Sequence, residues 1–427
     1  MQTDTKLNPL TCPIQDVNTF DPQFLQDPYP FYARTRGEAP VYRDEKTGTI
    51  FVATYDLIKE VNSQPLIFSN GFRDTLAAGG VNKDTSEENA ILAQGWIIKD
   101  TMLTADPPEH QRYRKLASKA FTFKRVTQMT AYVGDLVHDL IDEMPEDGCE
   151  FKSAFAAKLP MYVIADALGV PRDNFDKFEA WTNAFVARLS GVADQETRIW
   201  AAHKIVEFQK YFVDVIEEKR ANPSEDVISD LVHADLAHEG DPRKMEYEEL
   251  LSILQQLLVA GNETTAHTLT AGIHYLISHP DQMARVKADP DLSANLVEET
   301  LRYLSPTNNM WRVVKQDHQI GDFKVKAGEL VLLRYGSANR DSAKFEDPDR
   351  YDIERANAKE HFAFGVGIHT CIGAQLARKE MAIAFPILLE RLQDIRLDPT
   401  KSDLRYLPSV LLRGVENLNV LYSKKPR

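Results

Sequence analysis

The sequence predicts a mainly α-helical protein with a minor antiparallel β component. Helix-type apolar periodicity dominates residues 107–279 and returns at 291–304 and 373–392. Strand-like runs are short and scattered, at 41–43, 50–53, 312–314, 329–333 and 418–421. No Gly/Ser linker, internal repeat or low-complexity tract divides the chain, and 43% hydrophobic with 27% charged residues can bury a large core. Length alone, 427 residues, suggests about three domains.

Taken in order, the opening Met1-Gln-Thr-Asp-Thr-Lys-Leu-Asn-Pro9 has no apolar run of signal-peptide type. No later stretch approaches about 18 consecutive apolar residues, so no membrane span is expected. Residues 1–20 read as a flexible lead, and the protein as cytoplasmic. Segment 70–104 mixes Gly, Asn, Asp and apolar residues without a period; a loop that long in a compact protein is usually a lid or a binding loop. Asp106-Pro-Pro-Glu109 reads as a helix start, with Asp106 as N-cap, proline in the first turn and Glu109 at the capping-box position.

The long helix over 250–277 carries Ala260-Gly-Asn-Glu-Thr-Thr-Ala266 at its middle. Gly261 costs about 1 kcal/mol relative to alanine in a helix interior, and Asn262, Thr264 and Thr265 add smaller penalties. Natural sequences break local rules chiefly where function requires it. A distortion is therefore expected here, freeing carbonyls to hold water beside the Thr264 hydroxyl and the Glu263 carboxylate; a packing kink is the plain alternative. Glu299 and Arg302, three apart on a helix, can pair, although most such pairs are solvated surface contacts.

The charge balance, 64 acidic against 50 basic side chains and a net charge of -14, argues against nucleic-acid or anionic-membrane partners. Cys12, Cys149 and Cys371 have no paired spacing, which excludes a disulfide framework and fits a reducing compartment. No H-E-x-x-H or C-x-x-C stands in the chain to hold zinc. The most informative stretch is Phe364-Gly-Val-Gly-Ile-His-Thr-Cys-Ile-Gly373, followed at once by a strong helix. Gly365 and Gly367 allow a tight turn. Cys371 then sits at a helix N-terminus, where dipole and free N–H groups lower a thiol pKa and favour a thiolate, as nucleophile or metal ligand. A structural cysteine beside a glycine turn is the alternative reading.

Together and in this order, these pieces resemble the cytochrome P450 family of haem-thiolate monooxygenases. Residues 364–373 fit its F-G-x-G-x-H-x-C-x-G loop without a mismatch, 260–265 match its oxygen-activation motif, and Glu299 with Arg302 its E-x-x-R. Arg355 falls where the family places the second arginine of a buried Glu-Arg-Arg network, and Asp106–Arg114 looks like the haem-edge helix of soluble bacterial members. Ser342 departs from the proline common in relatives, at a turn without chemical consequence.

The resemblance implies one domain over 1–427 enclosing haem b, with 361–373 as the haem-cysteine loop. Cys371 is the implied iron ligand, and Ala260, Phe364 and Gly373 are implied haem contacts. His110, Arg114, Arg312 and His369 match positions that pair with the haem propionates; buried carboxylates need such partners. Thr264, with Glu263 and water, is implied to deliver protons for cleavage of dioxygen, with electrons from NAD(P)H. The implied substrate pocket holds Ile97, Ile98, Leu103, Phe185, Leu189, Gln256, Val259, Thr307, Asn308, Leu411 and Leu412. Gln256 and Asn308 stand out, because a buried amide needs a partner; they point to a hydrophobic substrate bearing an oxygen function, such as a terpenoid, steroid or substituted aromatic.

A chain without a flavin or ferredoxin module of its own must receive electrons from another protein. Residues 112–125 hold Arg112, Arg114, Lys115, Lys119, Lys124 and Arg125 without one acid. That reversal of local sign suits docking of an acidic [2Fe-2S] ferredoxin on a monomer, with Arg114 turned inward. Two rival readings stay open on the sequence: a non-enzymatic haem sensor or carrier, and a peroxide-using member of the same family.

Overall fold

The computed structural model describes residues 11, 13–73, 75, 85–189, 193–234, 244–401 and 404–427, with Ala120 and Leu189 described by backbone alone. Helices occupy Tyr29–Glu38 (α1), Tyr55–Asn62 (α2), Ser86–Leu92 (α3), Glu109–Ser118 (α4), Phe123–Thr130 (α5), Val133–Glu143 (α6), Lys158–Leu168 (α7) and Phe175–Leu189 (α8). Beyond these lie Gln195–Ala221 (α9), Val227–Val232 (α10), Tyr247–Ser278 (α11), Pro280–Ala288 (α12), Ser293–Leu304 (α13), Tyr335–Ala338 (α14) and Ala374–Arg391 (α15). The strands are Val41–Arg43 (β1), Ile50–Val52 (β2), Phe68–Ser69 (β3), Gly148–Glu150 (β4), Met310–Val314 (β5), His318–Ile320 (β6), Phe323–Val325 (β7), Leu330–Leu333 (β8), Leu392–Leu397 (β9) and Asn419–Lys424 (β10).

The strands form one sheet in the order β1-β2-β8-β5-β3, a second in the order β4-β10-β9, and the hairpin β6-β7. Every pairing is antiparallel except β2 with β8, which runs parallel with Ile50 opposite Val331. All five anticipated strands form. The unanticipated ones are two- or three-residue pieces with too few residues to show a period, and β9, which continues directly from the end of α15.

The long helix α11 organises the core. It opens with a capping box, Glu246 and Glu249 each accepting the other's backbone N–H. Its first half buries Leu250, Leu251, Ile253, Leu254, Leu257 and Leu258 against α7, α8 and α9. Its second half buries Leu269, Ala271, Ile273 and Leu276 against α6, α13 and α15. Between these two clusters lies the Ala260–Thr264 stretch, so the apolar core is divided where the sequence is least helix-like.

Three expectations change. The lead is packed from Ile14 onward: Ile14 and Val17 are buried, and Phe20 stacks on Trp311 with ring centroids 6.4 Å apart, because these side chains complete the apolar cluster over the larger sheet. Segment 70–104 contains α3 rather than being loop throughout. Asp106 does not cap α4, which starts at Glu109 behind Pro108 without a side-chain cap. Its carboxylate instead accepts the Ser69 hydroxyl at 2.5 Å and the Asn70 amide at 3.0 Å, tying the end of β3 to the start of the helix.

Candidate active site

The turn before α15 is built by its glycines. Gly365 and Gly367 have φ of +67° and +83°, left-handed values that L side chains rarely adopt. A Cβ on Gly367 would meet the Asn62 carbonyl at 2.8 Å. The turn closes through the Cys371 amide, which donates to the Phe364 carbonyl at 2.8 Å. Cys371 thus precedes α15 by three residues, with the Gly373 and Ala374 amides directed at its sulfur. Phe364 lies under the Arg378 guanidinium, 4.5 Å from ring centroid to Cζ. Arg378 and His361 both grip Glu298, at 2.5 and 3.1 Å, behind the loop.

The thiol itself corrects one expectation. Burial pushes the Cys371 thiol up, and the Gly373 and Ala374 amides, with Arg114 and Arg378, offset this only in part. A helix N-terminus alone therefore does not supply a thiolate here; a bound metal would, because coordination deprotonates a thiol outright. Although enclosed, Cys371 keeps an accessible surface.

Beside it two histidines and two arginines converge. The rings of His110 and His369 lie 4.1 Å apart, and the charges of Arg114 and Arg312 act on His369. Burial, then the positive field of His110 and Arg312, holds His369 down at about 3, so the ring is neutral. His110 is likewise lowered, by burial and by Arg114. Both ring nitrogens of His110 and Nε2 of His369 are buried without a hydrogen-bond partner among the described residues. Arg312 is anchored by the Trp311 carbonyl at 2.7 Å and Asn62 Oδ1 at 2.5 Å. Crowded cations and orphaned buried imidazoles fit a ligand that brings carboxylates, and a porphyrin carrying propionates above a thiolate meets that description.

On α11, Ala260 and Gly261 are exposed and Glu263 and Thr264 half-buried, at the centre of an otherwise buried helix. The helix is not broken here: α11 runs from Tyr247 to Ser278. Thr264 Oγ1 donates to the Ala260 carbonyl at 3.0 Å, Thr268 Oγ1 to Thr264 at 2.7 Å and Thr270 Oγ1 to Ala266 at 2.8 Å, so each hydroxyl is satisfied within the helix. Gly261 brings the helix against Ile164 of α7, which would lie 3.7 Å from an added Cβ.

Glu299 and Arg302 are not a solvated pair. Both are fully buried, with two hydrogen bonds of 2.7 Å between them, and Arg355 Nε lies 3.2 Å from Glu299 Oε2. The guanidinium groups also hold backbone carbonyls of Asn339, Pro348 and Arg350, so the triad pins the 339–355 segment.

The pocket candidates divide. Ile98, Leu103, Val259, Thr307 and Leu412 are half-buried, with Thr307 bridged to Leu412. Phe185 is core, 2% exposed and packed edge-to-face on Phe208, and Leu411 is 8% exposed within the sheet's apolar cluster. Ile97 is 75% exposed, too much for a side chain enclosed by pocket walls. The side chain of Leu189 lies outside the described residues. Gln256 loses the meaning given to it. Gln256 accepts the Leu103 amide at 3.1 Å and donates to Thr101 Oγ1 at 2.6 Å, clamping the 101–103 segment to α11. Asn308 packs on Gly336, where a Cβ would approach its Oδ1 to 2.4 Å, and takes the Tyr32 hydroxyl at 3.5 Å. Protein groups partner the Gln256 amide, which therefore does not argue for an oxygen function on the substrate, whereas Asn308 is met through its Oδ1 alone.

Folding also changes the basic run. Arg112 pairs with buried Glu249 at 3.3 Å and Arg125 with Asp230 at 2.6 Å, whereas Lys115, Lys119 and Lys124 are exposed. Sequence reasoning missed three buried acid–base features: Glu298 with its two partners, Glu380, and His267. Burial alone pushes Glu380 up to about 8, and its Oε2 has no partner among the described residues. Neither Glu298 nor Glu380 stands in a spacing that marks it, and His267 is marked only by lying four residues beyond Glu263.

A glycine-turned cysteine at a helix start, a cationic cluster beside it and an accessible threonine stretch on a central helix define a haem-thiolate protein. The chain belongs to the cytochrome P450 family, whose description "Cytochrome P450" matches residues 32–413. It is 36% identical to cytochrome P450 monooxygenase PikC of Streptomyces venezuelae over 96% of this chain and 95% of that one. It is 34% identical to the steroid C26-monooxygenase of Mycobacterium tuberculosis, over 92% and 94% of the two chains. The solved cytochrome P450 CYP109Q5 from Chondromyces apiculatus superposes with a TM-score of 0.81 at 34% identity, covering 96% and 98%. The protein is therefore a monooxygenase of the haem-thiolate class, using haem b, dioxygen and electrons from NAD(P)H through redox partners. Among the described residues no helix is long and apolar enough to cross a membrane.

Proposed function

We propose that this enzyme inserts one oxygen atom into a C–H bond or C=C of a medium-sized hydrophobic substrate, drawing electrons from a separate acidic [2Fe-2S] ferredoxin. One observation carries the reading: the only accessible stretch at the centre of α11 among the described residues, Ala260 and Gly261 with half-buried Thr264, interrupts the core, and accessible Cys371 gives the same sign of an internal space. Haem, when bound, supplies reductive activation of dioxygen. Cys371 would hold the iron and donate electron density to it. His110, Arg114, Arg312 and His369 would hold the propionates, with Ala260, Phe364 and Gly373 against the ring.

Thr264 then holds water by its hydroxyl, which now rests on the Ala260 carbonyl, and Glu263 passes protons to that water. The half-buried apolar residues Ile98, Leu103, Val259 and Leu412 favour a hydrophobic substrate, and the similarity to a steroid C26-monooxygenase favours the steroid class. The exposed Lys115, Lys119 and Lys124 support an acidic electron donor. In Thr264→Ala, haem and substrate binding should persist while the share of NADH ending as peroxide rises several-fold. Unchanged partition between product and peroxide would remove the proton-delivery role.

A further inference from the structure

His267 stands one helical turn beyond Glu263 on α11, is 0% exposed, and places Nε2 3.0 Å from Glu263 Oε2, an ion-pair approach outside hydrogen-bond geometry, with neither ring nitrogen hydrogen-bonded among the described residues. Its ring is cradled by Gly414, where an added Cβ would lie 2.2 Å from Cγ and Nδ1, so only glycine leaves room. The cradle is itself fixed: the Gly414 carbonyl accepts the Leu407 amide at 2.9 Å, Arg413 N–H donates to the Pro306 carbonyl at 2.9 Å, and Tyr406 bridges to Val415. The imidazole is therefore held in place against the one carboxylate next to Thr264.

The other charged groups acting on Glu263 are Lys152 and, on α8, Glu179, which also feels Asp176. Burial pushes the Glu263 carboxyl up, but the His267 contact and Lys152 outweigh it and hold the group at about 2. Glu263 is thus an anion throughout the neutral range, able to relay a proton but not to store one.

We propose that His267 is a positioning residue for oxygenation, acting through Glu263: packed between Gly414 and the carboxylate, it fixes where that carboxylate stands, so that a proton accepted from solvent is passed on to the water at Thr264. One O–H bond forms on the carboxylate and breaks again, and no oxidant or reductant enters the step. The inference rests on the reading of Thr264 and Glu263 as the proton route.

The test uses the haem-loaded full chain with a plant [2Fe-2S] ferredoxin, its reductase and NADH, without added substrate. NADH oxidation in the parent should be flat between pH 5 and 7. In His267→Leu it should change several-fold over that range, and the change should vanish in Glu263→Gln/His267→Leu. In parallel, the Glu263 carboxyl 13C resonance, assigned through Glu263→Gln, should not titrate from pH 5 to 8 in the parent and should titrate in His267→Leu. Gly414→Ala, which displaces the ring without removing it, should act in the same direction and serves if His267→Leu does not fold. Flat profiles and a silent carboxyl in both His267→Leu and Gly414→Ala would overturn the proposal. Failure of the underlying proton route is read separately, from an unchanged peroxide share in Thr264→Ala.

Discussion

The imidazoles of His110 and His369 face each other at 4.1 Å between centroids, within the positive field of Arg114 and Arg312. Such an arrangement opposes the haem-free fold and supports a fold holding carboxylates. His369 is held at about 3 by burial and by its cationic neighbours, against an ordinary value of 6.5. The unfolded chain therefore binds the extra proton between these values, and the haem-free protein should lose stability as pH falls from about 6.5 towards 3. His369→Gln should flatten that dependence, measured as the denaturant midpoint of haem-free protein at pH 7.5 and 5.5. An equal drop in parent and variant would contradict the assignment.

Gln256 is a clamp in this structure, bridging α11 to Thr101 and Leu103. Gln256→Leu should cost about 1–3 kcal/mol and raise hydrogen exchange at the Leu103 amide. It should leave the relative binding of oxygenated and purely hydrocarbon ligands unchanged, read by spin-state titration. A selective loss of oxygenated ligands would return Gln256 to substrate recognition.

Glu299 and Arg302 bury opposite charges with every direction occupied by protein. Removing one partner strands the other, a loss of about 3–5 kcal/mol. Arg302→Met should thus lower the yield of folded, haem-loaded protein sharply, assayed by denaturant unfolding and haem content; stability within 1 kcal/mol of the parent, roughly the scatter of a surface pair, would argue against the network's weight.

The exposed lysines and the paired arginines of the basic run should separate in kinetics. Lys119→Glu and Lys124→Glu should raise the KM for a [2Fe-2S] ferredoxin several-fold and weaken its salt dependence, leaving the substrate-induced spin shift intact. Arg125→Gln, already neutralised by Asp230, should change the KM less. Equal effects from both kinds of substitution would place the docking surface elsewhere.

Much of this was legible before folding was considered. The Phe364–Gly373 loop is local: its glycines, histidine and cysteine act within ten residues, so their order reports their geometry. The periodicity of α11 was equally plain. The helix's persistence through Gly261 was not, because the burial of both flanking halves in the core outweighs a local propensity cost, and a residue scale does not record that burial. Long-range pairing was the other blind spot. Arg112 and Glu249 are 137 residues apart, Gln256 and Thr101 are 155 apart, and no spacing rule joins either pair. His267 escaped notice for a related reason: its partner Glu263 is local, but the Gly414 cradle that locks it comes from the far end of the chain.

The central claim is that Cys371 holds haem iron as a thiolate. The most direct measurement is the absorption spectrum of the purified haem-loaded protein, reduced and exposed to carbon monoxide, for the parent and Cys371→Ser. The parent should show the strongly red-shifted Soret band of a thiolate-ligated haem, and the variant should lack it. A parent without that band, or a variant that keeps it, would contradict the assignment of Cys371.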